Sequence, residues 1–121
     1  MKAKQRAAVA GIIMAITNGD QIKNVYSYEL ATHIFLSGIV KNTLVSIYDY
    51  SRCCHITGRK RDDKQYSLYD YGTSSYISLI VNGKNITGYD YGSGYYFSCS
   101  VNDGSASLYD YKTGQYYYYS C

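Results

Sequence analysis

"SLYDYGTSSYISLIVNGKNI" (residues 67–86) holds two strand patterns and two turns in one short stretch. Ser67 to Tyr71 alternates in character and ends at "GTSS". "YISLIVN" alternates again and ends at Asn82-Gly83. Asn-Gly between two alternating runs is the strongest short-range signal of a β-hairpin.

The same unit recurs outward in both directions. "TGYDYGSGYYFSCSVNDGSA" (87–106) and "SLYDYKTGQYYYYSC" (107–121) follow it, and "SIYDYSRCCHITGRKRDDKQY" (46–66) precedes it. "NVYSYELATHIFLSGIVKNTLV" (24–45) is a degenerate first copy, with Ser27 where the others have Asp. The units start at 24, 46, 67, 87 and 107, steps of 22, 21, 20 and 20. A fixed period of this size is the mark of a repeat architecture. The reading is a mainly β protein, with five hairpins forming an antiparallel meander of nine or ten strands over 24–121. A meander this wide must curl, close or lean on something, because a flat open sheet exposes its edges. The expectation is a strongly curled sheet or closed barrel wrapped on an N-terminal helix. The alternative is a stacked-hairpin solenoid.

Composition agrees. A chain of 121 residues is the size of one domain (1–121) and can bury about two-thirds of its unfolded surface. It has 18 Tyr, 11 Gly and no Pro or Trp, which favours pleated strands with glycine turns. A net charge of +3 is too weak to imply nucleic acid by itself. In "MKAKQRAAVAGIIMAITNG", Lys2, Lys4 and Arg6 precede an apolar run from Ala7 to Ile16. That run is too short to span a bilayer and lacks a convincing cleavage site. It reads as a helix over roughly 2–17, buried on several sides and stopped at Asn18-Gly19, with an export signal or a membrane-surface anchor as the alternatives.

Period-two patterning assigns faces. Ile77, Leu79, Val81, Phe97, Cys99, Val101, Tyr117, Tyr119 and Cys121 form the expected core face. Tyr76, Tyr96 and Tyr116 fall on the outer face, and His33 and His55 occupy their column. The simplest account is that this column wants a ring. In the first strand of each unit, Tyr69/Tyr71, Tyr89/Tyr91 and Tyr109/Tyr111 lie opposite the Leu/Asp face, and which set points inward is open.

Asp49, Asp70, Asp90 and Asp110 precede tight turns, where a carboxylate accepts hydrogen bonds from turn amides. The alternative is a rim of carboxylates for Ca²⁺ or a polar ligand. Neighbours in that rim would stand two strands, roughly 9–10 Å, apart, too far to share one ion. Cys53, Cys54, Cys99 and Cys121 contain no C-x-x-C pair, so no metal is expected, and no cofactor either. Reduced thiols and a cytoplasmic setting are favoured over export. "NIT" (85–87) is a glycosylation sequon that matters only after export.

Arg52, Arg59, Lys60, Arg61 and Lys64 are the one basic cluster, partly offset by Asp62 and Asp63. They read as a long solvated loop, or as a phosphate-contacting tongue beside Tyr rings. "SGYYFSCSVNDGSAS" (93–107) resembles the aromatic repeats of bacterial cell-wall and glucan-binding modules, which implies choline or polysaccharide held between stacked hairpins. The Trp of those repeats is missing and Y-D-Y is foreign to them, so the shared period reads as convergence.

The functional expectation is a non-catalytic module acting by binding or self-association through its Tyr-rich strands. Carbohydrate binding, single-stranded nucleic-acid binding, and a small barrel enzyme using His33 or His55 with an Asp are the alternatives. A homo-oligomer and a glycan or other small ligand are the expected partners; a membrane is not.

Overall fold

The computed structural model describes residues 1–19, 22, 24–41 and 43–121. Residues 20, 21, 23 and 42, the last within the first unit, lie outside that description. The chain opens with α1 (Ala3–Thr17). Eleven strands follow among the described residues: β1 (Val25–Ser27), β2 (Thr32–Ile34), β3 (Leu36–Lys41), β4 (Leu44–Asp49), β5 (Cys54–Lys60), β6 (Gln65–Asp70), β7 (Ser75–Asn82), β8 (Asn85–Asp90), β9 (Tyr95–Asn102), β10 (Ser105–Asp110) and β11 (Gln115–Ser120).

The strands form one antiparallel sheet in the order β2-β1-β11-β10-β9-β8-β7-β6-β5-β4-β3. The meander therefore closes on itself, because β1 pairs with β11 through Tyr26↔Ser120 and Ser27↔Tyr119. A solenoid would leave first and last strands apart, so that alternative is overturned. One seam is unsealed. Its two edges, β2 and β3, are consecutive in the chain and joined by Phe35 alone. The Tyr50 amide donates to the Phe35 carbonyl at 3.1 Å beside this junction. The expected nine or ten strands become eleven because residues 25–41 break into three short pieces.

The helix fills the barrel. Every residue from Gln5 to Ala15 is buried, which explains why the segment is apolar nearly all round rather than along one stripe. It leans on β1 and β3. A side chain at Gly11 would come within 2.6 Å of Leu36 and Val25, so glycine permits this approach beside the seam. The helix ends where expected: the Asn18 amide donates to the Met14 carbonyl at 2.9 Å, and Gly19 takes a φ of 105°. No helix among the described residues is long and apolar enough to cross a membrane.

The wall supplies Ile47, Ile56, Leu68, Ile77, Leu79, Ile86, Phe97 and Leu108, all fully buried against α1. Burying each such side chain contributes ~1.5–3 kcal/mol. The core face expected for the second strands holds except at its end, since Cys121 lies past β11 and is exposed. In the first strands the Leu/Asp face points inward and the Tyr face outward. Gly88 replaces the inward Leu in unit four, and its partner across the ladder, Phe97, fills the space.

Each turn repeats one geometry. The fourth residue after the Asp (or Ser27) is left-handed in all five units: Ala31, Cys53, Ser74, Gly94 and Gly114, with φ between 52° and 77°. Two are glycine, which adopts this conformation freely; three are not and carry the steric cost.

Candidate binding surface on the outer wall

Alternation sends the two halves of each Y-D-Y to opposite sides of the wall. Inside, the four carboxylates are buried at the barrel mouth nearest the start of α1. One oxygen of each accepts the amide two residues on: Ser51 to Asp49 at 3.0 Å, Gly72 to Asp70 at 2.8 Å, Gly92 to Asp90 at 3.1 Å and Lys112 to Asp110 at 3.0 Å. Ser27 does the same work in unit one, accepting the Leu30 amide at 3.2 Å. The turn role expected of these residues is what they perform.

The second oxygens face cations. Arg52 bridges Asp49 (2.8 Å) and Asp70 (2.9 Å), and Gln5 donates to Asp70 at 3.0 Å. Arg6 reaches Asp110 at 3.1 Å and Glu29 at 2.8 Å, and stacks 3.8 Å over the Tyr117 ring. The Met1 amine lies 3.4 Å from Asp110 and 3.8 Å from Asp90. Burial works to lower the Arg6 pKa, but the hydrogen bond and charge of Glu29 outweigh it, so the net direction is upward. Arg52 behaves likewise, with burial opposed by Asp49 and Asp70. These carboxylates are thus held by the protein's own cations. Among the described residues no group of His, Cys, Asp and Glu is arranged to hold a metal.

Cys53-Cys54-His55 is not assembled into one site. The Cys54 sulfur lies 4.0 Å from Asp70 at the inner mouth, while His55 packs outside against Tyr48. Burial, then Asp70 and Asp49, push the Cys54 thiol upward against the opposing charge of Arg52. The wall likewise separates both histidines from Asp49, Asp70, Asp90 and Asp110, so neither His33 nor His55 pairs with these four.

Outside, the rings form a belt. Tyr69 meets Tyr71 at 4.8 Å and Tyr76 at 4.9 Å between centroids, both edge to face. Tyr89 repeats this with Tyr91 and Tyr96, and Tyr109 with Tyr111 and Tyr116. Tyr48 does so with Tyr50 and His55, and Tyr26 with Tyr28 and His33. The histidines therefore substitute for Tyr in its own column. Clusters adjoin across the ladder, since the Tyr91 amide donates to the Tyr76 carbonyl and the Tyr111 amide to that of Tyr96. At the seam His33 approaches Phe35 at 6.4 Å, continuing the belt.

Below the belt lies a row of hydroxyls. Ser46 pairs with Thr57, and Ser67 with Ser78, on β4 to β7. The basic cluster of the sequence is divided here. Arg52 sits at the inner mouth, while β5 carries the chain to the far rim, where Arg59, Lys60, Arg61 and Lys64 lie. Their loop is short rather than long: Asp62 accepts the Lys64 and Gln65 amides at 3.0 and 2.9 Å. Lys60 stands 6.0 Å over the Tyr66 ring. Arg59 and Arg61 instead line a groove of about 330 Å³ with Ser46, Thr57, Ser67, Tyr69 and Tyr76.

Sequence reasoning missed the cations that serve the aspartates. A signal existed, because Gln5 and Arg6 open a helix otherwise apolar, and four strand-end carboxylates need partners if buried. It also missed the groove beside Arg61, which depends on strand order.

Comparison of the chain with protein-family models, curated proteins and solved structures finds no match.

Proposed function

We propose that this protein is a non-catalytic binding module whose working surface is the outer aromatic belt, and that the belt takes carbohydrate. The observation that carries this reading is the repetition of one exposed three-ring cluster in all five units, bordered by serine and threonine hydroxyls. A sugar ring offers an apolar C–H face and a rim of hydroxyls. Exposed Tyr supplies a flat apolar partner with a polar tip, and the hydroxyl row supplies hydrogen bonds. Among the described residues α1 fills the interior of the barrel from Gln5 to Ala15. The test is titration of the intact protein with neutral and acidic oligosaccharides, read by intrinsic Tyr fluorescence. Saturable change that is lost in Tyr76→Ala and Tyr96→Ala together supports the reading; no response to any saccharide sinks it.

Self-association is a second reading, favoured by a different observation. Phe35 at the β2–β3 junction, Ile39 on β3 and Leu44 on β4 are 55 %, 54 % and 48 % exposed. Exposed apolar groups next to unpaired strand edges are a natural contact between copies. Light scattering over a dilution series in reducing buffer tests it. A mass that falls from dimer to monomer supports it, and a monomer at every concentration removes it.

A further inference from the structure

We infer that one of the five belt sites, the groove across β4 to β7, is specialised for an acidic saccharide, with Arg59 and Arg61 receiving the sugar's carboxylate or sulfate. This rests on the carbohydrate reading of the belt and adds the charge class of the ligand and the place where it docks.

Three observations converge there. The first is shape. The groove lined by Arg59, Arg61, Tyr69 and Tyr76 adjoins a second of about 320 Å³, and Arg61, Ser67 and Tyr76 line both. The second is the hydroxyl floor. Ser46↔Thr57 and Ser67↔Ser78 are direct cross-strand pairs, and Thr57 and Ser67 are diagonal neighbours through Thr57↔Tyr69 and Arg59↔Ser67. Four hydroxyls thus cross four adjacent strands, a span of about 14 Å at ordinary strand spacing, the length of a short oligosaccharide.

The third is charge. Among the described residues neither Arg59 nor Arg61 is in an ion pair, whereas Arg6 and Arg52 each pair with two carboxylates. Asp62, the acid nearest in sequence, spends an oxygen on two loop amides. The corresponding turns of units three and four carry Asn82-Gly83-Lys84 and Asn102-Asp103-Gly104, and Lys84 pairs with Asp103 at 3.7 Å. Of these three turns, only the one at 61–64 brings guanidinium groups to the Tyr clusters. A guanidinium fork matches a carboxylate or sulfate in two parallel hydrogen bonds, which point charges on lysine do not.

Single-stranded nucleic acid fits less well. It needs a cationic track that follows successive phosphates. Here the arginines sit at one end of the groove, beside Asp62 and Asp63, and the rest of the belt is uncharged.

The experiment is calorimetric titration of the full chain at fixed low salt with four probes: tetragalacturonate, a sulfated chondroitin tetrasaccharide, cellotetraose and an eight-residue oligothymidylate. Wild type is compared with Arg59→Gln/Arg61→Gln and with Tyr76→Ala. Both variants change exposed side chains, and circular dichroism melting confirms that they fold. Expected is tighter binding of an acidic probe than of cellotetraose by about tenfold or more, the size of a charge-assisted hydrogen-bonded pair. The double arginine variant should bind acidic and neutral probes alike, and Tyr76→Ala should weaken both. Equal affinity for acidic and neutral sugars in wild type, or a preference that survives loss of both arginines, overturns the inference and leaves the belt reading standing. Binding of no saccharide overturns both. Oligothymidylate binding tighter than every saccharide overturns the inference in favour of nucleic acid.

Discussion

The inner and outer faces of one tripeptide make the most instructive comparison in this molecule. In Tyr69-Asp70-Tyr71 the Asp70 side chain is wholly buried, while Tyr71 is 57 % exposed. The inner residue is constrained on every side, by the Gly72 amide, by Arg52 and by Gln5. The outer residues meet rings and water. The ring column facing them across the ladder, that of Tyr76, Tyr96 and Tyr116, accepts His at 33 and 55, whereas the inner position varies only to Ser27, which keeps a turn bond. Inside, the buried carboxylate is held by its hydrogen bonds and cation; outside, the Tyr hydroxyl stays wet.

Replacing Asp70 by Ala strikes the constrained face and should have the largest effect. It leaves Arg52 and Gln5 short of a partner in a buried site, and breaking such a pair costs about 3–5 kcal/mol. Urea unfolding measures it, and a loss near that of an outer Tyr would break the comparison. Next comes Gly88→Ala, whose new methyl would meet the Phe97 ring at 2.1 Å. Overpacking of this kind costs ~1–3 kcal/mol. The paired change Phe97→Leu should recover most of it, which a double-mutant cycle reads directly.

The inner face also predicts a pH dependence. Burial pushes the Cys99 thiol from an ordinary 9.0 up to about 12, and burial moves Tyr119 upward as well. Between 9.0 and about 12 the folded chain therefore holds a Cys99 proton that the unfolded chain has lost. Stability is then full below pH 9.0 and declines as pH rises towards about 12. The urea midpoint should fall as pH rises from 9.0 towards about 12, and less so in Cys99→Ala, where one source of the proton difference is gone.

Smaller effects belong to the turns and the outer wall. Ser74→Gly relieves a left-handed residue at φ 55° and should raise stability by up to ~1 kcal/mol, whereas Gly94→Ala, at φ 77°, should lower it by ~1–2 kcal/mol. Tyr71→Ala removes the edge-to-face contact with Tyr69, two residues back along the chain, and should cost about 1 kcal/mol or less. A much larger loss there would show that the belt, too, is structural.

The helix, the hairpin period, the core face of each second strand and the turn role of the aspartates were all legible in the residues. Each is a local matter of periodicity or of a carboxylate near its own turn. The orientation of Y-D-Y was not. Leu68 and Leu108 argued for one face and the unbroken Tyr pairs for the other. In the folded chain Leu68 and Leu108 enter the core, and the aspartates meet cations, some from distant segments, Arg6 being 104 residues from Asp110. Arg52 was grouped with Arg59 and Arg61 by proximity in sequence, but one strand carries them to opposite rims.

By itself, then, the amino-acid sequence determined one apolar helix and five hairpins with alternating faces, because those follow from side-chain period and turn chemistry within a few residues. Only the tertiary structure decided that β1 meets β11, that the aspartates lie inside against Arg6, Gln5 and Arg52, and that Arg61 comes to rest beside Tyr76. Those are encounters between distant segments, and they exist only once the sheet has curled far enough around the helix to bring its ends together.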